Sequence, residues 1–253
     1  MKAMIFAAGF GTRLKPFTLH HPKALVPVDG KPMLRRVIEN IAAAGVTEIV
    51  VNVHHFADQI ENYLAENHNF GLDIRISDER ALLLDTGGGL LKAADILKSM
   101  GRPYDPILLH NADILTDLPL AQMCRYHEQS GADATLLCSH RESSRTLWFD
   151  SAESTLRGWQ NRSTGEYRPA TFTPSASDDA TPFDGIHIIN PAILDLLEKY
   201  NGGADAKPFS IIPFYLSVLG KAKIRRFLLP EGCQWFDVGS SEKLQAAEAA
   251  LNH

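Results

Sequence analysis

Two cationic side chains near the amino end, Arg13 and Lys23, and two aspartates far along the chain, Asp113 and Asp237, are the residues best suited to chemistry. Arginine offers phosphate a planar fork of N–H donors, and lysine a compact point charge. A pair of carboxylates is what Mg²⁺ takes from a protein when phosphate oxygens supply its other ligands. Beside a glycine loop, Arg13 and Lys23 describe a place to hold a nucleoside triphosphate. Taken singly, the aspartates say less: an Asp after a strand commonly forms a turn or caps a helix. The two stand 124 positions apart, so only folding can unite them.

Arg13 belongs to a glycine loop. The run Lys2-Ala3-Met4-Ile5-Phe6 reads as a strand and opens directly into Ala7-Ala8-Gly9-Phe10-Gly11-Thr12-Arg13-Leu14. Glycines at a strand end let backbone N–H groups come close to phosphate. Two better-known loops do not fit. Leu14 stands where the dinucleotide fingerprint needs its third glycine, and no Gly-Lys-Ser/Thr follows as in a P-loop. The charge distribution says more: from Met1 to Ile38 seven Lys or Arg face one acid, Asp29, in a chain of formal net charge −5. Basic charge concentrated in this way marks a local anion site, not a nucleic-acid face.

A second glycine cluster, Leu84-Asp85-Thr86-Gly87-Gly88-Gly89-Leu90, lies just ahead of a helical pattern. Three consecutive glycines are costly to order, which suggests close approach by a ligand or by another backbone.

The first loop, followed by Pro16 and by Pro22-Lys23-Ala24-Leu25-Val26-Pro27-Val28, resembles the signature of the sugar-1-phosphate nucleotidylyltransferases. The resemblance implies that Ala7, Ala8, Gly9, Gly11, Thr12 and Arg13 hold the nucleotide phosphates. It implies that Lys23 touches them during transfer, so that Arg13 and Lys23 are the catalytic pair. Asn111-Ala112-Asp113 is similar to the family's Asn-Gly-Asp metal motif, with Ala112 where Gly is usual. Trp235-x-Asp237-Val238-Gly239 is similar to its late Asp-Val-Gly motif, so Asp113 and Asp237 are the implied Mg²⁺ ligands. Thr86, Gly87 and Gly88 are implied to line the nucleobase through main-chain groups, and Asn111, Asp184 and Gly185 to line the sugar. The Glu-Lys-Pro motif whose lysine holds the sugar phosphate in many relatives is absent; Arg141, Arg145 and Lys207 are the candidates to replace it. The implied partners are an NTP and a sugar 1-phosphate. The missing motif, the Asp-Thr-Gly-Gly-Gly cluster and the short chain look most like the branch that makes UDP-N-acetylmuramate in peptidoglycan recycling. The mannose- or heptose-1-phosphate guanylyltransferase branch shares the same core motifs.

Other classes fit less well. A glycosyltransferase binds a diphosphate and has no need of the Arg13 and Lys23 loop. A non-catalytic sugar-nucleotide sensor would be expected to lose one of the four charged residues. A dinucleotide dehydrogenase lacks its third glycine.

The elements that must position these residues alternate. Strand-like runs at 3–6, 48–53, 73–76 and 107–110 are separated by helical patterns at 33–44, 57–66 and 89–100, which implies βαβ units and a mostly parallel sheet. Loops after such strands lie on one edge, where ligands of open α/β sheets bind. Residues 141–182 read as an antiparallel excursion. A strand at 185–189, a helix at 191–200, a helix near 211–219, a strand at 223–229 and a helix at 242–251 follow. The expected fold is α/β: a Rossmann-like, three-layer nucleotide-diphospho-sugar transferase fold with a mixed, mostly parallel sheet and a small antiparallel excursion. One domain spans 1–253, with a nucleotide-binding half at 1–139 and a sugar-binding and closing half at 140–253. An apolar fraction of 45% is ample for a core. With no apolar run of membrane length, no signal-peptide pattern and three scattered cysteines, the expectation is a cytoplasmic protein, monomer or homodimer, with no membrane or nucleic-acid partner.

Overall fold

Strands covered on both faces must be apolar on both, and the apolar runs of this chain behave so. Seven of them form one sheet: β1 (Lys2–Phe6), β2 (Glu48–Val53), β3 (Asp73–Asp78), β4 (Ile107–Asn111), β5 (Ala134–Cys138), β6 (Phe183–Ile189) and β7 (Ile224–Leu228). Their order is β7-β5-β6-β4-β1-β2-β3. β1 pairs in parallel with β2 and β4, β2 with β3, and β5 with β7. β6 runs against both its neighbours, β4 and β5. The computed structural model describes residues 1–251.

Successive side chains of a strand point to opposite faces, and the core divides accordingly. Ala3, Ile5, Ile49, Val51 and Leu108 pack under α1 (Met33–Ala43), α2 (Ala57–Glu66) and α4 (Leu120–Ser130). Met4, Val50, Ile107 and Leu109 pack under α3 (Asp85–Ser99), α5 (Ala192–Asn201) and α6 (Ile211–Ser217). Each helix supplies the stripe this demands; α1 buries Met33, Leu34, Val37, Ile38 and Ile41. The result is a three-layer α/β sandwich. Among the described residues no helix is long and apolar enough to cross a membrane.

The excursion is a separate four-stranded antiparallel sheet in the order Glu166–Arg168, Leu156–Asn161, Arg145–Asp150, Asp178–Thr181. A short antiparallel pair joins Ile114–Thr116 to Trp235–Asp237. The last helix, α7 (Ser241–Leu251), follows it. A third apolar cluster of Leu14, Val26, Val28, Met33, Leu115, Val238 and Ala247 ties this carboxyl-terminal segment to the residues following the first glycine loop.

The helix α4 and the strand β5 that follows it are not expected from the sequence, and one boundary next to the cavity is displaced. The third helix begins at Asp85, not Gly89, so the three glycines form its opening turns.

Candidate active site

β1 ends at Phe6, and the chain turns at once. Gly11 has φ +63°, and a side-chain carbon there would stand 2.8 Å from Lys23 Cβ and 2.9 Å from Thr18 Cγ2. Both conformation and space therefore require glycine. Thr18 Oγ1 donates to the Gly11 carbonyl at 2.8 Å, fixing the turn. The N–H groups of Gly9 through Arg13 meet no acceptor within the protein among the described residues. They border a cavity of about 400 Å³ whose walls include Ala8, Gly9, Thr12, Arg13, Lys23 and Asp113. A run of unsatisfied amides beside an unpaired guanidinium is a cradle for anionic oxygens.

The two aspartates meet on the opposite wall. Asp113 leaves the end of β4, and the N–H of Val238 donates to its carbonyl at 2.8 Å. Asp237 is paired with Ile114 on the neighbouring rung. Each carboxylate holds a lysine: Asp113 pairs with Lys23, and Asp237 Oδ2 accepts from Lys243 Nζ at 2.6 Å. Gly239 closes the wall, because a side-chain carbon there would lie 2.7 Å from Asp237 Oδ1 and 2.9 Å from Arg13 Nη2. Arg13, Lys23 and Asp113 thus line one space, and Asp237 stands just behind its Gly239 wall, near Arg13. Ala112, where glycine is usual, is buried, and its N–H donates to the Phe6 carbonyl at 3.1 Å.

Sequence reasoning missed the floor of the cavity. Asn52, at the end of β2, accepts from the N–H of Ala7 at 2.7 Å and donates to Glu79 Oε1 at 2.7 Å. Glu79 Oε2 accepts from the N–H of Leu84 at 3.1 Å. Burial pushes the Glu79 carboxyl above the usual carboxylate range, against the pull of those two hydrogen bonds. The signal available in the sequence was faint: a single Asn in an apolar strand, and a Glu just past the next one.

Thr86 lines the cavity, but Gly87 and Gly88 do not. Their N–H groups both donate to the Phe209 carbonyl, at 2.9 and 3.2 Å, and so are not available to read a base. Added side-chain carbons would lie 2.5 Å or less from the Phe209 ring at Gly87 and 2.2 Å from the Lys207 carbonyl at Gly88. The glycines answer to a neighbouring backbone. Asp85, in the left-handed region at φ +58° with its Oδ1 accepting from the Thr86 N–H at 2.6 Å, faces the cavity together with Leu83.

On the sugar side the expectation also shifts. Asn111 lines the cavity, and its Nδ2 would lie 2.8 Å from a side-chain carbon on Gly185, which has φ +76°. Asp184 is fully buried, and neither it nor Gly185 lines this cavity or the one beside the antiparallel sheet. Asp184 instead accepts from Arg141 Nε at 2.8 Å, with burial raising its carboxyl pKa and Ser139 and Arg141 opposing the rise. Arg141 also donates through Nη2 to the Phe183 carbonyl at 3.2 Å and stacks 4.4 Å over Trp235. Its Nη1 has no protein partner among the described residues. Of the three candidates for the missing lysine, Arg141 and Arg145 border a second cavity of about 570 Å³ between the antiparallel sheet and α6; Lys207 borders neither.

A family model described as nucleotidyl transferase matches residues 2–253. A mannose-1-phosphate guanyltransferase of Schizosaccharomyces pombe is 30% identical over 94% of this chain, which spans 61% of that protein's length. An N-acetylmuramate alpha-1-phosphate uridylyltransferase of Caulobacter vibrioides is 31% identical over 98% of this chain and 96% of its own. Among solved structures, a Bacillus anthracis protein assigned as a glucose-1-phosphate thymidylyltransferase, crystallised with sucrose, superposes with a TM-score of 0.77. The two share 16% identity over 99% of this chain and 94% of that one, a likeness of fold.

Proposed function

The chain belongs to the nucleotidyl transferase family, and from that premise we propose that it joins a nucleoside triphosphate to a sugar 1-phosphate and releases pyrophosphate. The observation that carries the reading is the cavity itself, where free loop amides, Arg13, Lys23 and Asp113 surround one space and Asp237 stands behind Gly239 at its edge. The sugar phosphate oxygen attacks the α-phosphorus in line, and the bond to the β-phosphate oxygen breaks. A phosphate anion is already a nucleophile, so no side chain need remove a proton. Catalysis is then positioning and charge neutralisation. Arg13 and the loop amides hold the departing pyrophosphate; Lys23 holds the α-phosphate and the incoming oxygen.

The carboxylates fit Mg²⁺. They offer hard oxygen ligands, Asp113 from the turn before strand 114–116 and Asp237 from the strand paired with it, and each already faces a cation, Lys23 or Lys243. Among the described residues no group of three or more His, Cys, Asp or Glu side chains is placed to hold a metal, so phosphate oxygens complete the set. When bound, the ion neutralises phosphate charge at the reacting centre. With such a cation beside Asp113, Lys23 would no longer be needed as its counter-charge and could serve the phosphates.

For substrates we favour UTP and N-acetylmuramate 1-phosphate, with Arg141 in place of the missing lysine. The Caulobacter relative is named for that reaction. Such a reaction draws on cytoplasmic UTP and returns a cell-wall sugar to use. The test is pyrophosphate release with Mg²⁺ across the four common NTPs and the 1-phosphates of N-acetylmuramate, mannose, glucose and heptose. The expected result is release that needs UTP and N-acetylmuramate 1-phosphate together. Release with GTP and mannose 1-phosphate would keep the reaction and replace the substrates; silence across the panel would overturn the reading.

A further inference from the structure

The second cavity has a wall that a neutral sugar does not call for. Strands 145–150, 156–161 and 166–168 pair so that Arg145, Asn161 and Glu166 form one row across the antiparallel sheet, and Leu147, Trp159 and Arg168 the next row on the same face. All six line the cavity; Ile212, Pro213 and Leu216 of α6 form its apolar opposite side. Arg168 Nε donates to Glu166 Oε1 at 2.7 Å and its guanidinium lies 5.0 Å from the centre of the Trp159 ring. Arg141, at the cavity's edge, is matched by buried Asp184. The guanidinium of Arg145 has no hydrogen-bond or ion-pair partner among the described residues. With Arg168 and Arg141 each balanced by a carboxylate, the unmatched charge of this wall is that of Arg145.

We propose that this wall receives a carboxylate carried on the ring of the sugar substrate, held by Arg145 with Arg168 beside it, while Arg141 serves the 1-phosphate. The inference rests on the nucleotidyl-transfer reading for the position of the sugar. Planar guanidinium forks suit a carboxylate. The two rows bring an unmatched guanidinium within one rung of a second, with an apolar helix face opposite for the ring's carbons. Arg168 was not among the residues singled out in the sequence; the strand register places it here.

The test compares two ligands that differ in the acidic ether alone, N-acetylmuramate 1-phosphate and N-acetylglucosamine 1-phosphate, by calorimetric titration of the whole protein with Mg²⁺ and a non-hydrolysable NTP analogue present. A binding measurement stands apart from turnover, so a failure of the transfer reading and a failure of this proposal are told apart. The wild-type protein is expected to prefer the acidic ligand by roughly tenfold to a hundredfold, the scale of a charge-assisted hydrogen bond. Arg145→Gln is expected to collapse that preference, and Arg145→Lys to restore part of it. Thermal unfolding of each variant checks that this exposed side chain has not been a structural prop. Equal affinity for the two ligands in the wild type, or a preference that survives both Arg145→Gln and Arg168→Gln, overturns the proposal.

Discussion

Asp113 and Lys23 are each other's nearest counter-charge, and that pairing decides how either can be tested. Removing the carboxylate charge with Asp113→Asn leaves the side chain's shape and takes away a preorganised electrostatic group. Turnover is expected to fall by roughly a hundredfold or more with little change in melting temperature; near-normal pyrophosphate release with Mg²⁺ would remove Asp113 from the mechanism. Asn52 should behave in the opposite way. It satisfies both the Ala7 N–H and buried Glu79, so Asn52→Leu strands two polar groups at about 1–3 kcal/mol. Its expected signature is lowered stability together with a raised KM for the nucleotide, measured by denaturant unfolding and initial rates. The contrast explains what was legible. Arg13 and Asp237 stand beside glycines, Lys23 follows a proline and Asp113 follows an apolar strand, so that in each the charge is conspicuous. Asn52 and Glu79 become part of the site only through pairing between β1, β2 and the start of α3.

At the scale of elements, hydrophobic period found six of the seven strands of the main sheet and every helix except α4, missing β5 (Ala134–Cys138) as well, because the alternation Ala3/Met4/Ile5 maps directly onto two helical layers. The start of α3 was misplaced for an instructive reason. Glycine is a poor helix former, yet here the helix opens on three of them because residues 207–209 press against its first turns, a contact far away in sequence. Gly88→Ala is accordingly expected to destabilise by about 2 kcal/mol or more, since its new carbon meets a backbone carbonyl and not a movable side chain. Thermal unfolding measures it. β6 carries a second test. His187 is fully buried, stacked on Phe183 and edge-on to Tyr215, with neither ring nitrogen hydrogen-bonded among the described residues. Burial, with His110 adding a smaller push, drives its pKa down to about 3. The unfolded chain therefore binds a proton more readily than the folded one, and stability is lost as pH falls from about 6.5 toward 3. Roughly 3 kcal/mol is at stake by pH 4. His187→Phe is expected to flatten that acid slope in unfolding curves taken between pH 7 and pH 4; an unchanged slope would acquit the residue.

The molecule as a whole is closed by its carboxyl-terminal segment. Val238 and Ala247 are fully buried against Leu14, Val28 and Leu115, so α7 and the residues after the first glycine loop share one small core. Ala247→Asp sets an unpaired charge in that core at a cost of several kcal/mol unless the helix detaches. The expected result is a melting temperature lower by several degrees and a fall in kcat, as Lys243 and the strand bearing Asp237 lose their support. Calorimetry and pyrophosphate release read the two effects. This closure could not be read from the sequence, since residues of the first and last forty positions carry no local sign that they pack together.

The pairing of Ile114–Thr116 with Trp235–Asp237 sets a clock as well as a geometry. A ribosome delivers residues at about 5–20 per second, and domains fold as the chain emerges. The cradle amides, Arg13, Lys23 and Asp113 leave the ribosome at least 124 residues ahead of Asp237. On the proposed function, a nascent chain would meet the phosphates of a nucleotide before both carboxylates were in place, and turnover would wait on the pairing of Trp235–Asp237 with Ile114–Thr116.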